Sequence, residues 1–287
     1  MPAKGVQWSA SVPPPDGGVS IQHPGSGHAR HAILIGDGDV PARAALDAAW
    51  PGWAADADLV IAADGGARKA DRAGLRPQLV VGDGDSLGES GLAEVRAAGI
   101  PLEMVAAAKD ESDLELAVLA AVTRGAVRLT ILGAMGGPRF DHALANAWLL
   151  AHPALDGRTV MLLDARTRVR LLSARAAGGT LVSGGAGTPG GATAEGDEQA
   201  QGPATAAGPA TAILVGALGD LVSLFPFGAD AVGVTTVGLA YPLRDEPLRA
   251  GPARGLSNVR TGTQARVSLR FGRLLIVETR DTAGATR

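Results

Sequence analysis

The chain has 287 residues, 46% of them hydrophobic and 19% charged, with a net charge of −3. Those values describe a globular protein with room for two domains, and with 3% aromatic residues they argue against nucleic-acid and anionic-membrane partners. The absence of cysteine excludes a disulfide framework and thiolate chemistry and fits a reducing cytoplasm, while no apolar run approaches the ~18 residues of a membrane span.

Residues 1–30 carry PPP, DGG and HPGSGH without an apolar segment, so they read as a disordered leader and not a signal peptide. From residue 31 the pattern becomes an alternation of strands and helices. HAILI at 31–35 is a strand, followed by the loop GDGD and a helix over 41–50 with Pro41 in its first turn. DLVIAA at 58–63 is the next strand; it ends in Asp64-Gly65-Gly66 before a helix over 67–73. LVV at 79–81 leads into the acidic loop GDGDS and a helix over 88–98, for which Ser86 and Glu89 have capping-box spacing. A weaker strand (101–105), an apolar helix (112–124), the strand VRLTIL (127–132), a helix (139–150) and the strand TVMLL (159–163) complete the series.

Near-continuous apolar strands alternating with helices predict a parallel sheet covered on both faces. Beyond about residue 166 the helical period is lost. Segments at 169–172, 221–225, 232–237, 265–271 and 274–279 have β character, separated by turn signals. The expected fold is therefore a parallel α/β sandwich over 31–165 followed by an all-β sandwich over 166–280. Residues 178–211, built largely of Gly, Ala, Thr and Pro, read as a disordered insertion, and 281–287 as a loose tail.

Ligands of such sheets bind outside the carboxyl ends of the strands, where the acidic and glycine-rich loops should gather. Asp83 and Asp85 are two apart, so an extended backbone would point both carboxylates to one side, a like-charge pair suited to holding a cation. Asp110 and Asp113, three apart at a helix start, can share a face, with helix capping as the plain alternative. Asp64 and Asp141 also stand at element ends. Several carboxylates around a phosphate site would repel the substrate without Mg²⁺ between them. Lys109 and Arg139 supply positive charge for phosphate oxygens, and Gly133, Gly136 and Gly137 let the backbone approach a ligand. No GxxxxGK[ST] is present, so this is not a P-loop site.

In this order and spacing, ADGGA (63–67), VVGDGDS (80–86), KDESD (109–113) and GAMGGPRFDHALAN (133–146) resemble thiamine pyrophosphokinase. GDLVSLFPF (219–227), TVGLAYPL (236–243) and GLSN (255–258) are similar to the C-terminal part of that family. The resemblance implies Mg²⁺-dependent transfer of pyrophosphate from ATP to the thiamine hydroxyl, releasing AMP, by a homodimer with active sites at the subunit interface. It implies metal ligation by Asp83, Asp85, Asp110 and Asp113, with Arg139 neutralising phosphate charge and Asp141 close by. On the nucleotide side it implies Asp64, Gly65, Ser86, Lys109, Ser112, Gly133, Gly136 and His142, and on the thiamine side Ser257 and Asn258. Three departures stand out: Ser112 replaces the family's usual Thr, the glycine loop is one residue longer, and Val259 stands where an acid often follows SN. The alternatives are a pyrophosphokinase acting on another alcohol such as a hydroxymethylpterin, a metal-dependent glycosyltransferase, and a non-catalytic nucleotide or thiamine sensor. An aspartate of the cluster is a better candidate base than His142.

Overall fold

A computed structural model describes residues 30–106, 108–175 and 208–281. The leader, nearly all of the 178–211 insertion and residues 282–287 lie outside the described residues. The insertion ends earlier than the composition suggests, because Gly208 bridges to Arg175 and a strand begins at Ala210.

The first half alternates as expected: β1 (Arg30–Ile35), α1 (Arg43–Ala49), β2 (Ala57–Ala63), a 3₁₀ helix (Asp64–Ala73), β3 (Leu79–Gly82), α2 (Gly88–Ala97), β4 (Leu102–Met104), α3 (Asp113–Thr123), β5 (Ala126–Leu132), α4 (Phe140–Leu149) and β6 (Thr159–Leu163). Three local expectations change. The capping box of Ser86 and Glu89 does not form; Leu87 occupies the N-cap of α2 without a side-chain bond, because the Ser86 hydroxyl turns to Asp85. Ser112, not Asp110, caps α3 by accepting from the Glu115 amide at 3.2 Å. Pro41 precedes α1 instead of opening it, since Ala42 is the N-cap.

The second half is β throughout: β7 (Thr167–Ala174), β8 (Ala210–Val215), β9 (Leu221–Pro226), β10 (Ala231–Val237), β11 (Glu246–Leu248), β12 (Asn258–Val259), β13 (Gln264–Leu269) and β14 (Gly272–Thr279). Three of these lie outside the segments expected from the sequence: β8, whose start falls in the stretch read as insertion, and β11 and β12, three and two residues long and without apolar alternation. The parallel strands do not end at the change of pattern. They continue into one ten-stranded sheet, β12-β9-β14-β7-β6-β5-β1-β2-β3-β4, in which β7 runs antiparallel to β6. A second sheet, β11-β10-β13-β8, packs on part of it.

Alternate residues of each strand feed opposite layers. Leu34, Ile61, Val81 and Ile131 pack under α3. Ile33, Ile35, Val80 and Leu132 pack under α1, the 3₁₀ helix and α2. On that same second face, Leu172, Leu274 and Ile276 meet Val234 and Val267 of the smaller sheet. Helices therefore cover one end of this face and strands the other. No helix among the described residues is long and apolar enough to cross a membrane.

Candidate active site

The loops after β1, β2, β3 and β5 converge with the N-terminus of α3 at the carboxyl edge of the parallel strands. Each acidic group arrives by a different local device. Asp64 follows β2 with φ of 38°, a left-handed conformation that turns the chain at once into the 3₁₀ helix. Asp83 follows β3, but the backbone is not extended to Asp85. Gly84 has φ of 84°, and the Asp85 amide donates to Asp83 Oδ1 at 3.2 Å. The two carboxylates thus meet through an Asx-type turn, not through strand alternation. Asp113 opens α3, held by the Ser112 cap.

One carboxylate oxygen each from Asp64, Asp83, Asp85 and Asp113 lie within 4.8 Å of one another. Gly82 permits this approach, because a Cβ there would stand 2.9 Å from Asp64 Cβ and 3.2 Å from Asp113 Oδ1. Asp110 is exposed and outside the group, so the acidic set the sequence suggested is reassembled with Asp64 in its place. Asp141 is also outside; it is exposed and chelated by the Arg139 guanidinium, with Nε to Oδ1 at 2.9 Å.

The electrostatics fit a cation. Asp64 is 1% exposed; its Oδ2 accepts from the Ser86 amide at 2.9 Å, while its Oδ1 is buried without a hydrogen-bond partner. Burial raises the Asp64 pKa, and the neighbouring Asp85 and Asp113 add to the rise. Lys109 Nζ reaches Asp83 Oδ2 at 3.2 Å and also binds Asp113. Burial works against the charged lysine, but the two carboxylates outweigh it and raise its pKa. Asp83 moves the other way, held ionised by the Asp85 amide and by Lys109. A buried carboxylate oxygen with no donor, within a group of four acids faced by one lysine, is a donor set suited to a hard divalent cation.

Beside the acids lies a cavity of about 400 Å³. Ser86, Lys109, Ser112, Asp113, Arg139 and His142 line it, together with Gly133 and Gly136. Gly65 is buried behind the loop after β1, where a Cβ would lie 2.6 Å from the Asp37 side chain. That loop is the element the sequence reading left without a role. Gly36, Asp37 and Gly38 line the cavity; Gly38 N–H donates to Gly133 C=O at 2.8 Å, and Asp39 accepts from Gly137 N–H at 2.9 Å. Its signal was the repeated Gly-Asp after a strand.

Ser257 and Asn258 lie elsewhere. Ser257, with φ of 54°, donates its amide to Ser223 Oγ, and Asn258 clamps the Tyr241 backbone through both amide atoms. Asn258 opens β12, directly after Ser257, and that strand is eight strand spacings from β3, on the order of 40 Å along the sheet.

The family model described as thiamin pyrophosphokinase, catalytic domain, matches residues 52–162, and that described as thiamin pyrophosphokinase, vitamin B1 binding domain, matches 213–274. The chain belongs to the thiamin pyrophosphokinase family. Its fold matches the thiamine pyrophosphokinase of Bacillus subtilis with a TM-score of 0.63 at 22% identity, covering 88% of this chain and 99% of that one. The Candida albicans enzyme gives 0.63 at 13% identity over 88% and 90%, and the yeast enzyme 0.61 at 13% over 90% and 88%. A comparison with curated proteins gives no match.

Proposed function

We propose that the chain transfers pyrophosphate from ATP to the hydroxyl of thiamine, giving thiamine diphosphate and AMP, with Mg²⁺ held by Asp64, Asp83, Asp85 and Asp113. The observation that carries the metal assignment is the orphaned, buried Asp64 Oδ1 inside the four-carboxylate group. The bound ion would neutralise phosphate charge during the transfer. In the reaction the thiamine oxygen forms a bond to the β-phosphorus, the bond from that phosphorus to the α-bridging oxygen breaks, and AMP leaves. Alignment and charge neutralisation carry such a transfer. In this reading Lys109 and Arg139, which line the cavity, hold phosphate oxygens, Gly133 and Gly136 let the backbone approach them, and an aspartate of the cluster takes the hydroxyl proton.

We further propose that the chain divides near residue 165 into a nucleotide-binding and a thiamine-binding domain, and that it works in the cytoplasm as a homodimer. Two observations support the dimer. If Ser257 and Asn258 serve the same site as the carboxylates, their separation along the sheet requires a second copy to supply one of the two groups. In addition, α4 buries none of its residues, and Phe140, Leu144 and Trp148 are exposed at 79%, 43% and 55%. Incubation with ATP, Mg²⁺ and thiamine tests the reading: equal yields of AMP and thiamine diphosphate, lost with EDTA, are expected. AMP formation only with other alcohols would move the substrate, and no AMP with any acceptor would end the catalytic reading.

A further inference from the structure

A cavity of about 750 Å³ lies away from the carboxylate cluster, and none of the four acids lines it. It occupies the gap between the two layers that share one face of the ten-stranded sheet. The helical layer ends at α1 and the smaller sheet ends at its edge strand β8, and β6 runs beneath the groove between them. Met161 and Leu163 form the floor, Ala45, Ala48 and Ala49 of α1 one wall, and the 215–217 segment the other. Grooves between layers, apolar in the middle with a few charged groups converging on them, are the usual form of small-molecule sites.

Guanidiniums stand at both of its ends. At one end Arg168 and Arg280 stack over Trp50, with guanidinium carbons 4.7 and 4.3 Å from the ring centroid. Behind them a single buried carboxylate, Glu278, serves Arg168, Arg170 and Arg260, and Arg280 pairs with Asp220 at 2.6 Å. Among the described residues four guanidiniums thus share Glu278 and Asp220, with Asp281 at the rim. Arg170 Nε and Arg260 Nε are buried without a hydrogen-bond partner. At the opposite end Arg128 is partly exposed: one guanidinium nitrogen donates to Ala55 C=O and reaches His31 Nδ1, its Nε has no hydrogen-bond partner, and among the described residues its ion pair to the exposed Asp56 is long, at 3.9 Å. Arg128 at one end and Arg168 and Arg280 at the other all line the groove, so guanidiniums reach it from both ends, an arrangement suited to a carboxylate or phosphate.

We infer that this groove binds a small organic anion, a phosphate or carboxylate carried on an apolar body, with Arg128 at one end and Arg168 and Arg280 at the other. The inference is independent of the reaction proposed above, because the groove shares no residue with that site. The test is a fluorescence titration of the full chain with anilinonaphthalene sulfonate, an anion on an apolar body. One saturable site is expected, weakened ~10-fold by Arg128→Gln and by Ala48→Phe, which fills the groove from an exposed helix position. Turnover with thiamine should not change in either variant. Trp148→Ser, on the opposite face, should leave dye affinity as it was. Displacement of the dye by AMP or thiamine diphosphate would identify the anion as a product of the enzyme's own reaction. Displacement by octanoate alone would identify a carboxylate of other origin. Undiminished dye binding by Ala48→Phe, dye binding lost with Trp148→Ser, or displacement by none of these anions would overturn the site.

Discussion

The protein holds two charged clusters of opposite sign, built by opposite means. The carboxylate cluster draws on Asp64, Asp83 and Asp85 from the segments that follow parallel strands and on Asp113 at a helix start, and a single lysine faces it. The arginine cluster draws on Arg168, Arg170, Arg260 and Arg280 of the β half, with Glu278 and Asp220 between them. The first is open to a cavity and short of positive charge, so it suits a cation whose arrival completes it. The second is built around its own buried carboxylate, with only Arg168 and Arg280 reaching the groove: Glu278 is 2% exposed although burial opposes its charge, because the surrounding guanidiniums hold it ionised. An incomplete charge set beside open space is what a reactive site needs; around Glu278 the arginines and their shared carboxylate complete one another's charge and hold the layers in register.

That contrast can be broken at several points. Asp83→Asn should have the largest effect, lowering turnover about a thousand-fold through several kcal/mol of lost charge stabilisation, with little change in unfolding. Steady-state assays across Mg²⁺ concentrations read it, and unchanged Mg²⁺ dependence with full turnover would remove Asp83 from the metal site. Glu278→Ala should do the reverse. Three arginines would lose their buried partner, costing about 3–5 kcal/mol in urea unfolding, while the folded fraction keeps its kcat. A loss below about 1 kcal/mol would show that solvent compensates the cluster.

Smaller effects sharpen the comparison. Ser112→Ala removes the cap that sets Asp113 at the start of α3 and should cost about 1 kcal/mol, with a modest rise in the Mg²⁺ requirement. His31 tests the other side of the molecule. It is 1% exposed, with Nε2 2.9 Å from Thr130 Oγ1, and burial lowers its pKa below 6.5. Arg128 adds to the lowering, while Asp56 and Asp58 oppose it. The unfolded chain therefore takes up a proton before the native state does. His31 gives its full stability above pH 6.5, and that stability is lost as pH falls through 6.5 toward the lowered native value. The melting temperature should decline over that window, and His31→Gln should flatten the decline. An unchanged slope in that variant would assign the pH response to other groups.

The sequence by itself determined the alternation of strands and helices, because alternating apolar periods and glycine-bounded loops are local signals. It also determined which loops carry the acids, since DGG and GDGD follow the strands they end and KDESD leads into a helix. It did not decide which acids meet. Asp64 and Asp83 come together because β2 and β3 are parallel neighbours, whereas Asp110 stays outside because α3 starts at Asp113. The short strands β11 and β12 carried no periodic signal, and the joining of both halves in one sheet depends on β7 reversing against β6. Above all, Arg168 and Glu278 are 110 positions apart and have no pattern in common. Local backbone preference acts within a few residues and can be read from the chain. Long-range pairing of charges follows from how sheets stack, and only the tertiary structure decides it.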